Sequence, residues 1–255
     1  MATRKINRKR IPRLFIENKL TTRTVNLNAN QTHYLRQVLR LRSGDRLVLF
    51  NGLGDEKCAV IETLTRTGSK VQITGSAKAI PTSPLQLHLL QSIIKAEPMD
   101  LIIQKSVELG VESISPVLSN FSVVKLDENR KKRRLEHWQK ISRSACEQSG
   151  RHCPPIINVP QTFSKALTAI PSNTTRIALH PSTSNTLQNL SHTFDQLDEL
   201  HILIGPEGGL SPSELDEANS AGFHILSLGP RTLRTETAAI AACTLAQFLW
   251  GDLSV

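Results

Sequence analysis

Two short segments near the C-terminus contain glycine, arginine and glutamate, residue types that could bind a ligand and act on it. The first reads GPEGG at residues 205–209, follows three apolar residues at 202–204, and runs into SPSE at 211–214. A serine cap, a proline in the first turn and a glutamate three residues after the serine predict a helix start there. Glycines let a ligand approach the main chain, and a helix start leaves N–H groups unpaired. The segment therefore predicts a binding loop at the carboxyl end of a strand, although such loops are also often only turns.

The second segment runs from Gly229 to Thr237. It follows a strand predicted at residues 224–228 and precedes an alanine-rich helix predicted at 238–250. The two glycine-bearing loops are thus expected to leave neighbouring strands. Arg231 and Arg234 lie at the helix start, where the helix dipole favours anions, so these cations are not placed for helix stability. They either serve a ligand or are surface cations.

A third loop has the sequence HPSTSN at residues 180–185 and follows a strand predicted at 176–179. Its first residue, His180, either starts a turn or joins the same site, because functional residues concentrate on loops. Three loops from one sheet edge could together enclose a ligand.

The segments GPEGGLSPSE and LGPRTLRTETA resemble the closing part of the SPOUT RNA methyltransferases. The chain is most similar to the RsmE family, which methylates N3 of a uridine in small-subunit ribosomal RNA. This resemblance covers roughly residues 11–253. It implies a homodimer that acts on 16S rRNA or the small ribosomal subunit, at uridine 1498 in the usual rRNA numbering.

The resemblance also implies S-adenosyl-L-methionine as the methyl donor, bound in a bent form by the three loops. The chain has no GxGxxG sequence, which counts against a methyltransferase of the Rossmann type. The residues that the resemblance places around the cofactor are Leu179, His180, Pro181, Ile204, Gly205, Pro206, Glu207, Gly209, Leu228, Gly229, Leu233 and Arg234.

The reaction that the resemblance implies suggests roles for the charged residues. Methylating uracil N3 requires loss of its proton, which leaves negative charge on O2 and O4, and a fixed guanidinium can stabilise that charge. Arg234, Arg231 and Glu236 are therefore the predicted catalytic residues. Glu236 or Glu207 could act as the base, but a helix N-terminus favours the ionised carboxylate and lowers its basicity, so the base is not assigned.

Two other functions fit the same loops. One is a different SPOUT activity, such as ribose 2′-O methylation. The other is a non-catalytic RNA-binding assembly factor in which the glycine loops are merely turns. The chain also departs from the family at Asn120 and Phe121, where the family commonly has Glu-Arg, and this leaves the details of rRNA docking open.

The N-terminal part predicts a small β-barrel. Strands are expected at residues 11–16, 24–27, 46–50, 57–64 and 70–79, with a helix at 32–41 that points Leu35, Val38 and Leu39 inward and Arg36 and Arg40 outward. In the family, such a domain is PUA-like and binds RNA, which gives a PUA-like barrel at residues 11–80 after a basic flexible tail at 1–10.

Beyond the proline-rich boundary at residues 80–84, strands and helices alternate, so residues 84–255 are predicted to form a mostly parallel sheet with helices on both faces. Strands are expected at 85–94, 114–118 and 156–159, and helices at 100–109, 130–148 and 164–170. A trefoil knot is implied by the resemblance alone. The final helix is apolar around much of its circumference, which fits a core helix or a dimer interface, and the family's homodimers favour the second.

The net charge of +9 is concentrated at the front of the chain. Residues 1–46 contain twelve Lys and Arg against Glu17 and Asp45, or +10, so the remaining residues carry 9 minus 10, or −1. A solvated basic face is one explanation, and a polyanion partner fits better because phosphate binding releases counterions. The predicted RNA-binding residues are Arg10, Arg13, Arg36, Arg40, Arg42 and Arg151. The basic run at 130–134 either contacts RNA or is a solvated helix start.

Several classes of protein are disfavoured. No apolar run approaches membrane length and the basic N-terminus lacks a following apolar segment, so we expect a cytoplasmic protein without a membrane partner. Four cysteines without a CxxC pair and eight histidines without HExxH indicate packing residues rather than a metal site or a disulfide scaffold.

Overall fold

The structure is a computed structural model that describes residues 11–17, 19–66, 68–78, 80–124 and 126–253. The predicted tail at 1–10, with Arg10, lies outside this range. The chain divides into two compact units, the first ending at Ile80 and also containing Cys146–Cys153, and the second formed by Pro81–Ala145 and the residues from Pro154 onward.

The first unit is a five-stranded sheet with one short helix. Its strands are β1 (Arg13–Phe15), β2 (Thr24–Leu27), β3 (Arg46–Phe50), β4 (Glu56–Leu64) and β5 (Ser69–Ser76). The strand order is β1-β3-β4-β5-β2, antiparallel except where β1 runs parallel to β3. Its core contains Leu14, Leu35, Leu49, Ile61 and Val71. The predicted strands are therefore all present, within a few residues at their ends.

The predicted helix at 32–41 differs from the observed one. It starts earlier, as α1 (Ala29–His33) with a capping box at Asn28, and continues as a π-helical turn at Tyr34–Val38. Leu35 is fully buried as predicted, but Val38 is 61% exposed, so its inward placement was wrong. The wider turn, closed by a bond from Leu39 N–H to the Tyr34 carbonyl at 3.0 Å, rotates the residues that follow it.

The second unit contains a seven-stranded parallel sheet and most of the helices. Its strands are β6 (Gln86–Ser92), β7 (Ser113–Leu118), β8 (Ile156–Ile157), β9 (Gln161–Thr162), β10 (Thr175–Leu179), β11 (Glu199–Ile204) and β12 (His224–Leu226). The order is β12-β10-β11-β6-β7-β8, and β9 pairs with β7 beyond the end of β8. All of these pairings are parallel, as predicted. One prediction was wrong, because β11 and β12 are not neighbours: β10 lies between them.

The helices cover both faces of this sheet. They are α2 (Ala96–Glu108), α3 (Glu128–Ser149), α4 (Phe163–Thr168), α5 (Leu187–Thr193), α6 (Pro212–Ser220) and α7 (Thr235–Trp250). Ile202 packs on one face with residues of α2, α3, α5 and α7, whereas Leu203 packs on the other with residues of α4 and α6. This alternation follows from the two-residue period of a strand. Helix α5 was not predicted, and α7 begins three residues earlier than expected.

Two of the four cysteines, Cys146 and Cys243, are buried in the manner of packing residues. Cys58, Cys146, Cys153 and Cys243 are all free. Burial raises the pKa of the Cys146 and Cys243 thiols to about 12, so both remain protonated. Over the described residues, no helix is both long and apolar enough to cross a membrane.

A histidine pair in the second unit should make its stability depend on pH. His88 and His201 stack with ring centroids 4.5 Å apart, and Glu199 Oε1 lies 2.8 Å from His201 Nε2 and 3.5 Å from His88 Nε2. Burial lowers the pKa of both imidazoles below 6.5, and the Glu199 carboxylate only partly offsets it. Folding therefore favours the neutral rings, and this contribution to stability is full above pH 6.5 and lost as the pH falls below it.

We expect the melting temperature of the wild type to fall between pH 7 and pH 5 more steeply than that of a His88→Asn/His201→Asn variant. Thermal unfolding across that range measures the difference. The matched control is His224→Asn, which removes an exposed imidazole and should leave the slope unchanged. If the melting temperatures of the wild type and the double variant fall equally with pH, the pH dependence does not come from this histidine pair.

Candidate active site

The loops after β10, β11 and β12 meet at one edge of the parallel sheet, together with the start of α7. They surround a cavity of about 660 Å³. Every residue predicted to bind the cofactor or to act in catalysis borders it: Leu179, His180, Pro181, Ile204, Gly205, Pro206, Glu207, Gly209, Leu228, Gly229, Arg231, Leu233, Arg234 and Glu236. The convergence follows from parallel pairing, which brings all the carboxyl ends to the same side.

Further residues line the cavity that sequence reasoning did not find. They are Lys95, Pro98, Gly208, Leu210, Ser227, Thr232, Thr235 and Ala238. Most of these flank predicted residues within the same loops. Lys95 and Pro98 come instead from the loop after β6 and the start of α2, and no sequence signal connected that loop to the others. Its contribution depends on β6 pairing with β11, which is a property of the strand order.

The capping box predicted after the first glycine loop is present and anchors that loop. Ser211 N–H donates to Glu214 Oε2 at 2.9 Å, and Glu214 N–H donates to Ser211 Oγ at 3.3 Å. Asn120 adds two bonds, from its N–H to Glu214 Oε1 at 2.8 Å and from its Nδ2 to Ser211 Oγ at 2.9 Å. Both capping residues are buried. Asn120 therefore fastens the turn after β7 to the start of α6.

Thr235 connects the two glycine loops. Its Oγ1 donates to the Gly205 carbonyl at 2.7 Å and accepts a bond from Gln91 Nε2 at 3.2 Å. Gln91 and Thr235 are both buried. A buried bond of this kind is costly to leave unmade, so it holds the start of α7 against the end of β11.

The cavity is mainly apolar, and its glycines leave main-chain atoms uncovered by side chains. Leu179, Ile204, Leu228 and Leu233 supply its hydrophobic walls. Gly209 and Gly229 have φ angles of +77° and +103°, and a Cβ added at either would meet no protein atom within 4 Å. A volume within about 300–1,000 Å³, apolar walls and a few polar groups are typical of a small-molecule site. The cavity therefore fits an organic ligand of nucleoside size approached by backbone N–H and C=O groups.

His180 satisfies both explanations considered for it. Its N–H donates to the Leu226 carbonyl at 2.9 Å, and its Nδ1 accepts from Ser182 N–H at 3.3 Å, so it does start a turn. It also lines the cavity.

The cations at the cavity are free to act on a ligand. Arg234 is the N-cap of α7, but its side chain makes no capping bond. Both Arg231 and Arg234 are exposed, and among the residues that the structure describes no carboxylate pairs with either. Glu236 lies half-buried in the first turn of α7, and Glu207 is exposed in the loop after β11. Two unpaired guanidinium groups and two carboxylates thus border one apolar cavity.

Among the predicted RNA-binding residues, Arg13 must be corrected. Its side chain is 10% exposed, forms an ion pair with Glu56, and lies over the Phe50 ring at 4.7 Å. Its guanidinium also donates to the Arg151 carbonyl at 3.3 Å. An arginine engaged in this way is a packing residue of the first unit and is not available to a phosphate.

The other predicted RNA-binding arginines differ in exposure. Arg40 and Arg42 are exposed, whereas Arg36 and Arg151 are half-buried. Arg151 Nε donates to the Cys153 carbonyl at 2.7 Å. Arg40 has a φ angle of +54°, a left-handed conformation that is uncommon for any residue other than glycine.

Comparison with known proteins identifies the family. A family model described as an RNA methyltransferase domain matches residues 81–247, and one described as an RNA methyltransferase PUA domain matches residues 27–74. Ribosomal RNA small subunit methyltransferase E of Buchnera aphidicola (subspecies Schizaphis graminum) is 38% identical over 97% of this chain and 100% of its own length. The enzyme of that name from Bacillus subtilis is 25% identical over 88% of this chain and 90% of its own length.

Two solved structures are similar over almost the whole chain. A putative methyltransferase from Legionella pneumophila, in complex with the cofactor SAM, matches with a TM-score of 0.90 and 34% identity, covering 96% of this chain and all of that one. Ribosomal RNA small subunit methyltransferase E from Neisseria gonorrhoeae, bound to S-adenosylmethionine, gives a TM-score of 0.88 and 36% identity over 96% and 100% of the two chains. With the cavity described above, these matches show that the chain belongs to the ribosomal RNA small subunit methyltransferase E family.

Proposed function

We propose that this protein is an S-adenosylmethionine-dependent methyltransferase that modifies N3 of a uridine in 16S ribosomal RNA. The observation that carries the proposal is the single cavity where three loops and the start of α7 combine bare glycine backbone, apolar walls and two unpaired arginines. Similar proteins from Legionella and Neisseria bind this cofactor, which supports the assignment.

The residues present fit this cofactor. Gly209 and Gly229 would expose main chain to the adenine and ribose, and Leu179 and Leu228 would provide apolar surface for the adenine ring. When bound, S-adenosylmethionine supplies an electrophilic methyl group carried on a sulfonium.

Arg234 and Arg231 are proposed to face the target base. Uracil becomes a nucleophile at N3 only after losing its N3 proton, and the charge then spreads to O2 and O4. Guanidinium groups already in place stabilise this charge without reorganising, most effectively where water is excluded. Glu236 or Glu207 takes the N3 proton. Glu236 is half-buried and Glu207 is exposed, so Glu236 is the more sheltered of the two carboxylates.

We assign RNA binding to a PUA-like domain at residues 11–80, closed as a small barrel, and methyl transfer to a knotted domain at 84–255. Exposed Arg40 and Arg42 support the first assignment, and the strand order β12-β10-β11-β6-β7 is compatible with the second. The proposed substrate, ribosomal RNA, implies a cytoplasmic enzyme. The target uridine is the one numbered 1498 in the usual rRNA numbering.

We also infer a homodimer. The outer face of α7 exposes Leu245, Phe248 and Leu249, and Leu101 of α2, the helix against which α7 packs, is exposed as well. Exposed apolar side chains on two packed helices fit an interface between copies of one chain. Sedimentation analysis should give twice the chain mass for the wild type and a shift toward monomer for Phe248→Glu. A monomeric wild type would refute the inference.

The function is tested by incubating the protein with S-adenosylmethionine and 16S rRNA, or small subunits, from cells lacking it, followed by mass spectrometry of the nucleosides. We expect 3-methyluridine at one position. Methyl groups on ribose 2′-O would indicate the other SPOUT activity. No methylation, together with no cofactor binding by calorimetry, would indicate a non-catalytic assembly factor.

A further inference from the structure

An exposed aromatic ring lies directly beside the cavity. Phe121, in the turn after β7, is 49% exposed. A Cβ added to Gly208, which lines the cavity, would lie 3.1 Å from Phe121 Cβ and 3.6 Å from its Cγ. The ring is thus supported by the glycine loop on one side and open to solvent elsewhere.

The turn that carries Phe121 is fixed on both sides. Before it, Asn120 is bonded to Glu214 and Ser211 at the start of α6. After it, Ser122 N–H donates to the Ser119 carbonyl at 3.0 Å, and the two serine hydroxyls lie 2.9 Å apart. A ring on such a turn loses little conformational freedom when it binds a ligand, so it is preorganised for contact.

The chain then leads to a basic pocket. Val123 is 67% exposed, and Val124 and Leu126 beyond it line a second cavity of about 480 Å³. Val124 and Leu126 form its apolar part, and α3 contributes Arg130, Arg133, Arg134 and His137. Because three residues span at most about 10 Å of chain, this pocket begins close to Phe121.

Two of these arginines are uncommitted. Arg130 pairs with Asp127 at 3.4 Å, and His137 pairs with Asp100 at 2.7 Å. Within the described ranges, Arg133 and Arg134 have no ion pair or hydrogen bond with a side chain. A planar guanidinium with free N–H groups matches the oxygens of a phosphate, often through two bonds at once.

We propose that the RNA strand entering the cavity crosses Phe121, which stacks on a base flanking the target uridine, and is held beyond it by Arg133 and Arg134 at a phosphate. This inference rests on the proposed function and identifies the part of the second unit that reads the substrate. Aromatic rings alternating with arginines are typical of single-stranded RNA recognition, where bases are splayed out and stacked. The uncommitted positive charge favours this polyanion over an apolar protein partner.

The test measures RNA affinity for three variants by filter binding at several salt concentrations, with S-adenosylmethionine affinity measured by calorimetry. Phe121→Leu keeps an apolar side chain against Gly208 but removes the aromatic face, and should weaken RNA binding by about five- to 100-fold. Arg133→Ala/Arg134→Ala should weaken binding and reduce the slope of log K against log salt by about 1, as expected for the loss of one phosphate contact. Lys132→Ala/Lys140→Ala removes two exposed charges of α3 outside the pocket and should leave both quantities near wild type.

Cofactor affinity should be unchanged in all three, which separates this inference from the proposed function. If the wild type neither binds the cofactor nor methylates RNA, the proposed function fails. If the wild type methylates RNA but Phe121→Leu binds it normally, or the arginine and lysine variants weaken binding equally, the RNA path is refuted. A loss confined to assembled subunits, with naked rRNA bound normally, would assign the surface to a ribosomal protein and also refute it.

Discussion

Replacing Arg234 with alanine should slow methyl transfer to RNA by about 10²–10³-fold under saturating S-adenosylmethionine. The guanidinium is exposed at the cavity and unpaired within the described residues, so its charge is available to a negatively charged uracil. Its side chain makes no capping bond to α7, and therefore the helix should form normally without it. Single-turnover rates with labelled cofactor measure the effect directly.

Two comparisons make the Arg234 result interpretable. Arg234→Lys keeps the charge but loses the planar fork, and should recover only part of the rate. Arg231→Ala, at the other arginine of the cavity, shows how much each arginine contributes to the rate. Since Arg234 also borders the cavity proposed for the cofactor, the affinity for S-adenosylmethionine is measured separately, and we expect it to change less than the rate. An Arg234→Ala enzyme with the wild-type rate would remove this residue from catalysis while leaving the family assignment intact.

Local sequence signals were sufficient for the glycine loops. Neighbouring residues determine the apolar runs that end in these loops, the glycines that follow them, and the capping box of Ser211 and Glu214. The structure has each of these features. Their convergence could be predicted because the carboxyl ends of parallel strands share one edge. Whether each residue binds the cofactor as proposed remains a prediction.

Features that depend on distant partners could not be predicted. Strand order places β10 between β11 and β12 and brings Lys95 to the cavity. No local sequence pattern encodes that order. Arg13 looks like any other basic residue until Glu56 and Phe50 enclose it. The exposure of Val38 depends on a π-helical turn, which a regular helical period does not anticipate.

Gly209→Ala should lower S-adenosylmethionine affinity by about tenfold or more, whereas Gly222→Ala should not change it. The two glycines are closely matched. Their φ angles are +77° and +81°, a Cβ at either meets no protein atom within 4 Å, and each N–H donates to a carbonyl three residues earlier. Alanine in this left-handed region costs roughly 1–2 kcal/mol at either site, so both variants should lose similar stability.

Only Gly209 borders the cavity, so a difference in binding between the two variants isolates the effect of a methyl group at the proposed cofactor surface from that of backbone strain. Calorimetric titration with S-adenosylmethionine, alongside thermal unfolding of both variants, makes the comparison. Equal cofactor affinity in the two variants would mean that the main chain at Gly209 does not approach the ligand. In that case the loop after β11 would be a structural turn, and the cofactor would have to be bound mainly by the loops after β10 and β12 and the start of α7.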